Sequence, residues 1–123
     1  MPDRILQDCR VLVVEDEYML ADNLATELSD AGAFIIGPVA TVEAAFALIA
    51  AESEIDGAVL DVNLGGEMVF PVADLLLKRQ VPFIFTTGYD LAAFPLRFER
   101  SIRCEKPTDM RIVTRAIGRV VHG

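Results

Sequence analysis

Five polar residues in this sequence have side chains that are suited to phosphoryl-transfer chemistry. Glu15 and Asp16 follow a short apolar run, Asp61 ends another, Thr87 ends a third, and Lys106 follows a fourth. Carboxylates held about 4 Å apart repel one another by about 1 to 4 kcal/mol per pair, and a divalent cation such as Mg²⁺ removes that cost. Asp61 could then act as an oxygen nucleophile on phosphorus, while Lys106 neutralises charge and Thr87 donates a hydrogen bond.

None of these residues is informative alone. An acidic residue after a strand is usually a turn residue or a helix cap, and a threonine at a strand end is an ordinary strand former. A Lys-Pro pair is an ordinary surface turn. The five residues are also far apart in the sequence, so they form a site only if the fold brings them together.

Short apolar runs alternate with amphipathic segments along the whole chain. The runs are too short for helices and resemble strands buried on both faces of a parallel sheet. They predict strands at residues 11–14, 34–36, 57–61, 82–87 and 102–104. The segments between them predict helices at residues 17–31, 41–51, 67–79 and 109–121, and a short irregular helix at 91–98. We expect Phe46 and Ile112 to lie on the inner faces of their helices.

This alternation predicts the fold class. Five strand–helix units indicate an α/β domain, with a five-stranded parallel sheet, helices on both faces and right-handed crossovers. Such folds bind ligands at the carboxyl ends of their strands. The five polar residues all fall at those ends. The sequence therefore predicts that they meet at one edge of the sheet.

Composition and charge narrow the class of function. The 123 residues are 53% hydrophobic and 24% charged, which is typical of one folded domain, and no linker or repeat divides residues 1–123. A net charge of −8 with scattered basic residues argues against binding of nucleic acid. No apolar run is long enough to span a membrane and no signal peptide is evident, so we expect a cytoplasmic protein. Cys9 and Cys104 fit neither a disulfide framework nor a metal site, which predicts buried or half-buried thiols.

With these residues placed, the chain resembles the receiver domains of two-component response regulators over its whole length. The run 11–17 is similar to the family's strand with an acidic pair, and Asp61 within residues 60–64 is similar to its phosphoacceptor. Thr87-Gly88 and Lys106-Pro107 are similar to its hydroxyl and lysine motifs. The resemblance implies a (βα)5 flavodoxin-like fold with strand order 2-1-3-4-5.

The resemblance also implies the roles of the site residues. Asp16 and Asp61 would bind Mg²⁺ directly, Glu15 would act through water, and the backbone carbonyl of Asn63 would complete the protein ligands. Asp61 would accept a phosphoryl group from a sensor histidine kinase or a histidine phosphotransfer protein. The phosphorylated domain would change conformation and signal to a downstream protein. It would not be an enzyme in the ordinary sense, since it would catalyse only its own phosphorylation and dephosphorylation.

A narrower resemblance is carried by residues 85–89, Phe-Thr-Thr-Gly-Tyr, and by the loop 61–67. They are similar to the Phe-Ala-Thr-Gly-Tyr signature of a receiver subgroup that is common in alphaproteobacteria. Members of this subgroup are often stand-alone receivers that are paired with HWE-type histidine kinases. If the chain ends at Gly123, its output would be a protein contact, a phosphate relay or a phosphate sink.

The sequence also departs from the family pattern. Glu15 is one methylene longer than the commoner Asp, and Thr108 stands where many relatives have Phe. Arg103 stands where the family usually has an aromatic residue that reports phosphorylation by turning inward. Burial of an unpaired guanidinium would be unfavourable, so Tyr89 is a candidate substitute. Alternatively, Tyr89 simply packs on a helix.

Three other functions are consistent with parts of the sequence. A flavodoxin-like cofactor binder would share the fold, but the acidic residues 15–17 would repel a flavin phosphate, and a colourless protein would exclude it. A phosphatase that uses Asp61 would need a general acid, commonly two residues later, where the chain has Asn63. A degenerate receiver that signals by contacts alone would not need all five site residues.

Overall fold

Five parallel strands form the central sheet of the protein. The computed structural model describes residues 5–88, 94–106 and 109–123. The strands pair in the order β2-β1-β3-β4-β5, which confirms the predicted topology. They are β1 (Arg10–Val14), β2 (Phe34–Val39), β3 (Gly57–Asp61), β4 (Phe83–Thr87) and β5 (Arg103–Glu105).

In the described part of the chain, four α-helices cover the two faces of this sheet. They are α1 (Tyr18–Asp30), α2 (Val42–Ala51), α3 (Phe70–Lys78) and α4 (Met110–His122). Helix α2 begins where the Thr41 hydroxyl accepts a hydrogen bond from the backbone of Ala44, and α4 begins where Asp109 accepts one from Arg111. These caps satisfy backbone donors that the first turn of a helix leaves unpaired.

The sheet separates two hydrophobic cores. Leu60 of β3 is fully buried in the core beneath α2 and α3, whereas the adjacent Val59 is buried in the core beneath α1 and α4. Successive side chains of a strand point to opposite faces, so a strand that is covered on both sides is apolar at every position. Each fully buried aliphatic side chain contributes about 1.5 to 3 kcal/mol of transfer free energy. The cores thus fix the strand ends in position.

The third helix begins later than predicted. The sequence predicted a helix at residues 67–79, but α3 starts at Phe70. Residues Asn63–Leu64 instead pair antiparallel with Glu67–Met68 to form a small ribbon. Its two-residue turn has φ of 65° at Gly65 and 100° at Gly66, and two positive φ angles are what a type I′ hairpin requires.

Other boundaries also differ from the predictions. Strand β2 continues beyond residue 36 to Val39, because an edge strand tolerates the proline at position 38. Strand β5 is shifted one residue later than 102–104. Of the helix predicted at 91–98, residues 91–93 lie outside the described residues, and the structure has only a 3-10 turn at Leu96–Phe98. The described part of this region, residues 94–98, therefore contains only that turn.

The inward orientation of two residues was predicted wrongly. Phe46 is 38% exposed and Ile112 is 54% exposed. Both lie at the margin of their helix's apolar stripe, where the sequence period cannot decide between the core and solvent. Cys9 and Cys104 are buried and free, as predicted. Within the described ranges, no helix combines the length and the apolar character that a membrane span needs.

Candidate functional site

The register of the parallel strands brings the predicted site residues to one edge of the sheet. Val14 of β1 pairs with Leu60 of β3, so the residues that follow β1 lie beside Asp61 at the end of β3. Asp61 pairs with Thr86 of β4. The backbone carbonyl of Thr87 accepts a hydrogen bond from the N–H of Lys106, 2.7 Å away, which fixes the start of the segment after β5. Sequence spacing alone could not show this proximity.

Lys106 links two of the acidic residues. Its Nζ atom lies 3.0 Å from Oε1 of Glu15 and 3.1 Å from Oδ2 of Asp61. The other carboxylate oxygen of Glu15 accepts a hydrogen bond from the backbone N–H of Glu17 at 3.0 Å. Glu15 is only 5% exposed, and both of its oxygens have protein partners. This residue therefore holds Lys106 beside Asp61.

Three carboxylates form a cluster that fits a hard divalent cation. One oxygen each from Glu15, Asp16 and Asp61 lies within 4.8 Å of the others. Glu15 and Asp61 are buried, whereas Asp16 is exposed at the rim of the cluster. Mg²⁺ prefers one or two carboxylates together with water and phosphate oxygens. The donor set and its partial access to solvent suit that coordination.

Burial and the neighbouring carboxylates together determine the protonation of Asp61. Burial raises the pKa of Asp61, the carboxylates of Glu15 and Asp16 raise it further, and the result is about 8 although Lys106 opposes the change. Burial by itself lowers the pKa of the Lys106 ammonium, but its contacts with Glu15 and Asp61 outweigh burial and raise it. Asp61 therefore binds a proton more tightly than an exposed carboxyl group does, and a metal ion bound at the cluster would compete with that proton.

The ribbon that follows β3 packs beside the carboxylates. The backbone N–H of Asn63 donates to Oδ1 of Asp61 at 3.3 Å, and the side-chain oxygen of Asn63 accepts from the N–H of Gly66 at 2.6 Å. A Cβ atom at Gly65 would lie 3.8 Å from Oδ2 of Asp16. The structure thus places Asn63 next to Asp61, while its role as a metal ligand remains a prediction.

A cavity of about 840 Å³ opens over these residues. Thr87 lines it and is 3% exposed. Aromatic and hydroxyl residues of its wall were not predicted from the sequence, and they include Phe70, Thr86 and Phe94. Nothing in their spacing marks them, since an apolar residue near a strand end usually belongs to the core. Tyr89 and Thr108, which the sequence analysis singled out, lie outside the described residues.

No family model and no curated protein sequence matches this chain. Among solved structures, SdrG from Sphingomonas melonis Fr1 is 36% identical with a TM-score of 0.80, and the match covers 94% of this chain and 98% of SdrG. The BeF3-activated conformation of SdrG from Pseudomonas melonis Fr1 is 34% identical with a TM-score of 0.75, over 98% of this chain and 99% of that one.

A third structure extends the likeness to a named receiver domain. The non-phosphorylated HemR receiver domain from Leptospira biflexa is 25% identical with a TM-score of 0.79, over 93% of this chain and 94% of that domain. The strand order of the sheet and the acidic cluster at its edge are consistent with a receiver domain. The chain belongs to the receiver-domain family of response regulators.

Proposed function

We propose that this receiver accepts a phosphoryl group on Asp61 from a phosphohistidine, in a Mg²⁺-dependent reaction. The donor is a sensor histidine kinase or a histidine phosphotransfer protein. The observation that carries the proposal is the position of Asp61, which is buried between the carboxylates of Glu15 and Asp16 and the ammonium of Lys106. A buried nucleophile with a cation 3.1 Å away is suited to stabilising charge on a transferred group.

The chemistry follows from the groups at the edge of the sheet. A carboxylate oxygen of Asp61 forms a bond to phosphorus as the bond between phosphorus and the donor imidazole nitrogen breaks. Lys106 neutralises charge on the phosphoryl oxygens, and Glu15 holds Lys106 in place. Asp16, Asp61 and the carbonyl of Asn63 would hold Mg²⁺, which supplies further charge neutralisation. Thr87, which lines the cavity, would donate its hydroxyl hydrogen to a phosphoryl oxygen.

The reaction is a switch on the protein itself. We propose that the domain catalyses only its own phosphorylation and dephosphorylation, that it acts in the cytoplasm, and that a conformational change transmits the signal to a downstream protein. The BeF3-activated conformation of SdrG, which is 34% identical to this chain, supports such a change. The sequence of residues 85–89 is similar to the signature of a subgroup that is often paired with HWE-type kinases, so we propose a kinase of that type as the donor.

Phosphorylation with a small donor tests the proposal directly. Wild-type protein is incubated with acetyl phosphate and Mg²⁺, and its intact mass is measured by mass spectrometry. We expect one phosphoryl adduct in the wild type and none in Asp61→Asn. Asp22→Asn, which makes the same chemical change at an exposed position on α1, is the matched control and should be phosphorylated normally. An adduct of equal abundance in Asp61→Asn would disprove the assignment.

A further inference from the structure

A cation–π contact joins β5 to the segment that follows β4. The guanidinium carbon of Arg103 lies 4.2 Å from the centroid of the Phe94 ring. Nη2 of the same guanidinium donates to the backbone carbonyl of Glu99 at 3.0 Å and approaches that of Phe98 at 3.5 Å. Arg103 therefore ties Phe94 and the end of the 3-10 turn to the last strand of the sheet.

Phe94 also belongs to the wall of the phosphorylation site. Its ring meets the rings of Phe85 and Phe70 edge to face, at centroid distances of 5.0 and 5.1 Å. Phe94 lines the same cavity as Asp61 and Thr87. Phe85 is in β4, two residues before Thr87, and it pairs in register with Arg103. Phe94 thus lines the cavity and also contacts two other phenylalanine rings and the guanidinium of Arg103.

One N–H group of the Arg103 guanidinium has no hydrogen-bond partner among the described residues. This group is the Nε–H, and its nitrogen is buried. A buried N–H without a partner disfavours the state that contains it, whereas the stack and the two carbonyl contacts favour that state. The unpaired Nε–H is therefore a cost of this arrangement that a different arrangement of Arg103 would relieve.

We propose that the Arg103–Phe94 stack is a latch that favours the unphosphorylated conformation and opens when Asp61 is modified. The proposal rests on the proposed function, since it describes how that site is regulated. A phosphoryl group on Asp61 adds volume and negative charge to the cavity that Phe94 lines. The phosphoryl group thereby raises the free energy of the latched state relative to the open state, which shifts the population toward the open state. By the same linkage, weakening the latch raises the population of the open state, in which Asp61 is phosphorylated faster.

The latch can be tested through the rate of phosphorylation by acetyl phosphate. Arg103→Gln removes the cation and Phe94→Leu removes the ring while keeping apolar bulk. Each should raise the rate about threefold to thirtyfold, the range that a partly desolvated cation–π contact can supply. The double variant should match the single variants, because the two side chains act as one unit. Arg97→Gln is the matched control, since Arg97 stacks on Phe98 and pairs with Asp74 outside the cavity.

The side-chain Nε–H resonance of Arg103 reports the latch itself. In the wild type, the ring of Phe94 should shift this resonance upfield, and Phe94→Leu should remove the shift. Adding beryllofluoride, which mimics an aspartyl phosphate, should also remove it in the wild type but not in Asp61→Asn. Comparing the spectra therefore shows whether the stack opens when the site is occupied.

The outcomes separate the two proposals. If neither the wild type nor any variant forms a phosphoryl adduct, the proposed function fails and the latch fails with it. If the adduct forms but Arg103→Gln and Phe94→Leu react at the wild-type rate, only the latch is wrong. Multiplicative rate effects in the double variant, or an Nε–H resonance that does not respond to beryllofluoride, would likewise overturn the latch alone.

Discussion

At the scale of single residues, the two neighbouring acids of the site have different surroundings. Glu15 is buried, and its two carboxylate oxygens are engaged by Lys106 and by the backbone of Glu17. Asp16 is exposed at the rim of the cluster and faces the glycine turn of the ribbon. A carboxylate that is already bonded on both oxygens is poorly placed to bind a metal directly. The geometry therefore favours Asp16 as the direct ligand.

This difference predicts unequal effects on Mg²⁺ affinity. Asp16→Asn should abolish measurable binding, whereas Glu15→Gln should weaken it by about tenfold, as loss of an outer-shell group usually does. Titration with Mg²⁺, followed by backbone amide shifts near residues 61–63, measures both. Asp22→Asn serves as the control for a change of net charge. An equal loss in the two site variants, or a greater loss in Glu15→Gln, would contradict the ranking.

The raised pKa of Asp61 predicts how stability depends on pH without metal. Its folded-state pKa of about 8 lies above the ordinary value of 3.8, so the folded state binds the proton more tightly. Stability from this group is then present at low pH and is lost as pH rises through about 8. Asp61→Asn removes this loss and should be the more stable protein at pH 8.5, by about 1 to 2 kcal/mol.

Urea unfolding in EDTA at pH 6 and pH 8.5 tests that prediction. The gap in unfolding free energy between Asp61→Asn and the wild type should widen as the pH rises. A gap that is constant or that narrows would mean that Asp61 is already ionised at pH 6. Asp22→Asn again controls for the removal of one carboxylate.

The site residues could be found from the sequence because each stands at the end of a recognisable strand. The residues that line the cavity wall could not. Thr86 resembles any other β-branched residue of a strand, and Phe94 falls in residues 91–98, for which the sequence predicted only a short irregular helix. The pairing of Thr86 with Asp61 depends on strand register, and the stacking of Phe94 on Arg103 depends on tertiary packing. Neither quantity is encoded in local spacing.

At the scale of elements, the ribbon after β3 is the largest departure from the predicted fold. Helical patterning was extended back to residue 67, although Gly65-Gly66 is also a strong signal for a two-residue hairpin. Short strands of two residues carry too few positions to show alternation, so pattern alone could not separate a ribbon from a helix start. By contrast, the longer helices α1, α2 and α4 were predicted to within one residue at each end.

The conformation of this turn predicts which substitutions of Gly65 the protein tolerates. Its φ of 65° is in the left-handed region, which Asn accepts more readily than a β-branched residue. Gly65→Val should lower the free energy of unfolding by about 1 to 2 kcal/mol, and Gly65→Asn by less than about half of that. The nearest group to a Cβ here is Asp16, at an ordinary contact distance, so conformation and not collision limits the choice.

Urea unfolding of the two Gly65 variants, combined with Mg²⁺ titration, measures this effect. Because the ribbon lies against Asp16 and Asp61, Gly65→Val should also weaken Mg²⁺ binding more than Gly65→Asn does. Equal stability of the two variants would show that the turn does not require a left-handed residue.

At the scale of the whole molecule, the fold brings mutually repelling carboxylates together at one edge of the sheet. The acidic residues follow β1 and β3, and their cationic partner follows β5, so the site spans the sheet from its centre to its edge. Two apolar cores fix those strands from both sides. Repulsion among the carboxylates therefore acts against the entire domain and not against one loop.

It follows that Mg²⁺ should stabilise the entire domain, and more so at high pH. A ligand that binds only the folded state at ten times its Kd adds about 1.4 kcal/mol, which is on the order of 5 °C in Tm for a domain of this size. Below pH 8 the proton on Asp61 competes with the metal, so the same Mg²⁺ concentration should raise Tm less at pH 6 than at pH 8.5. In Asp61→Asn the increase should be small and independent of pH. Thermal unfolding of both proteins with and without Mg²⁺ at the two pH values measures the coupling. If the wild-type increase is equal at both, proton and metal do not compete for Asp61, and Mg²⁺ stabilises the fold through other carboxylates.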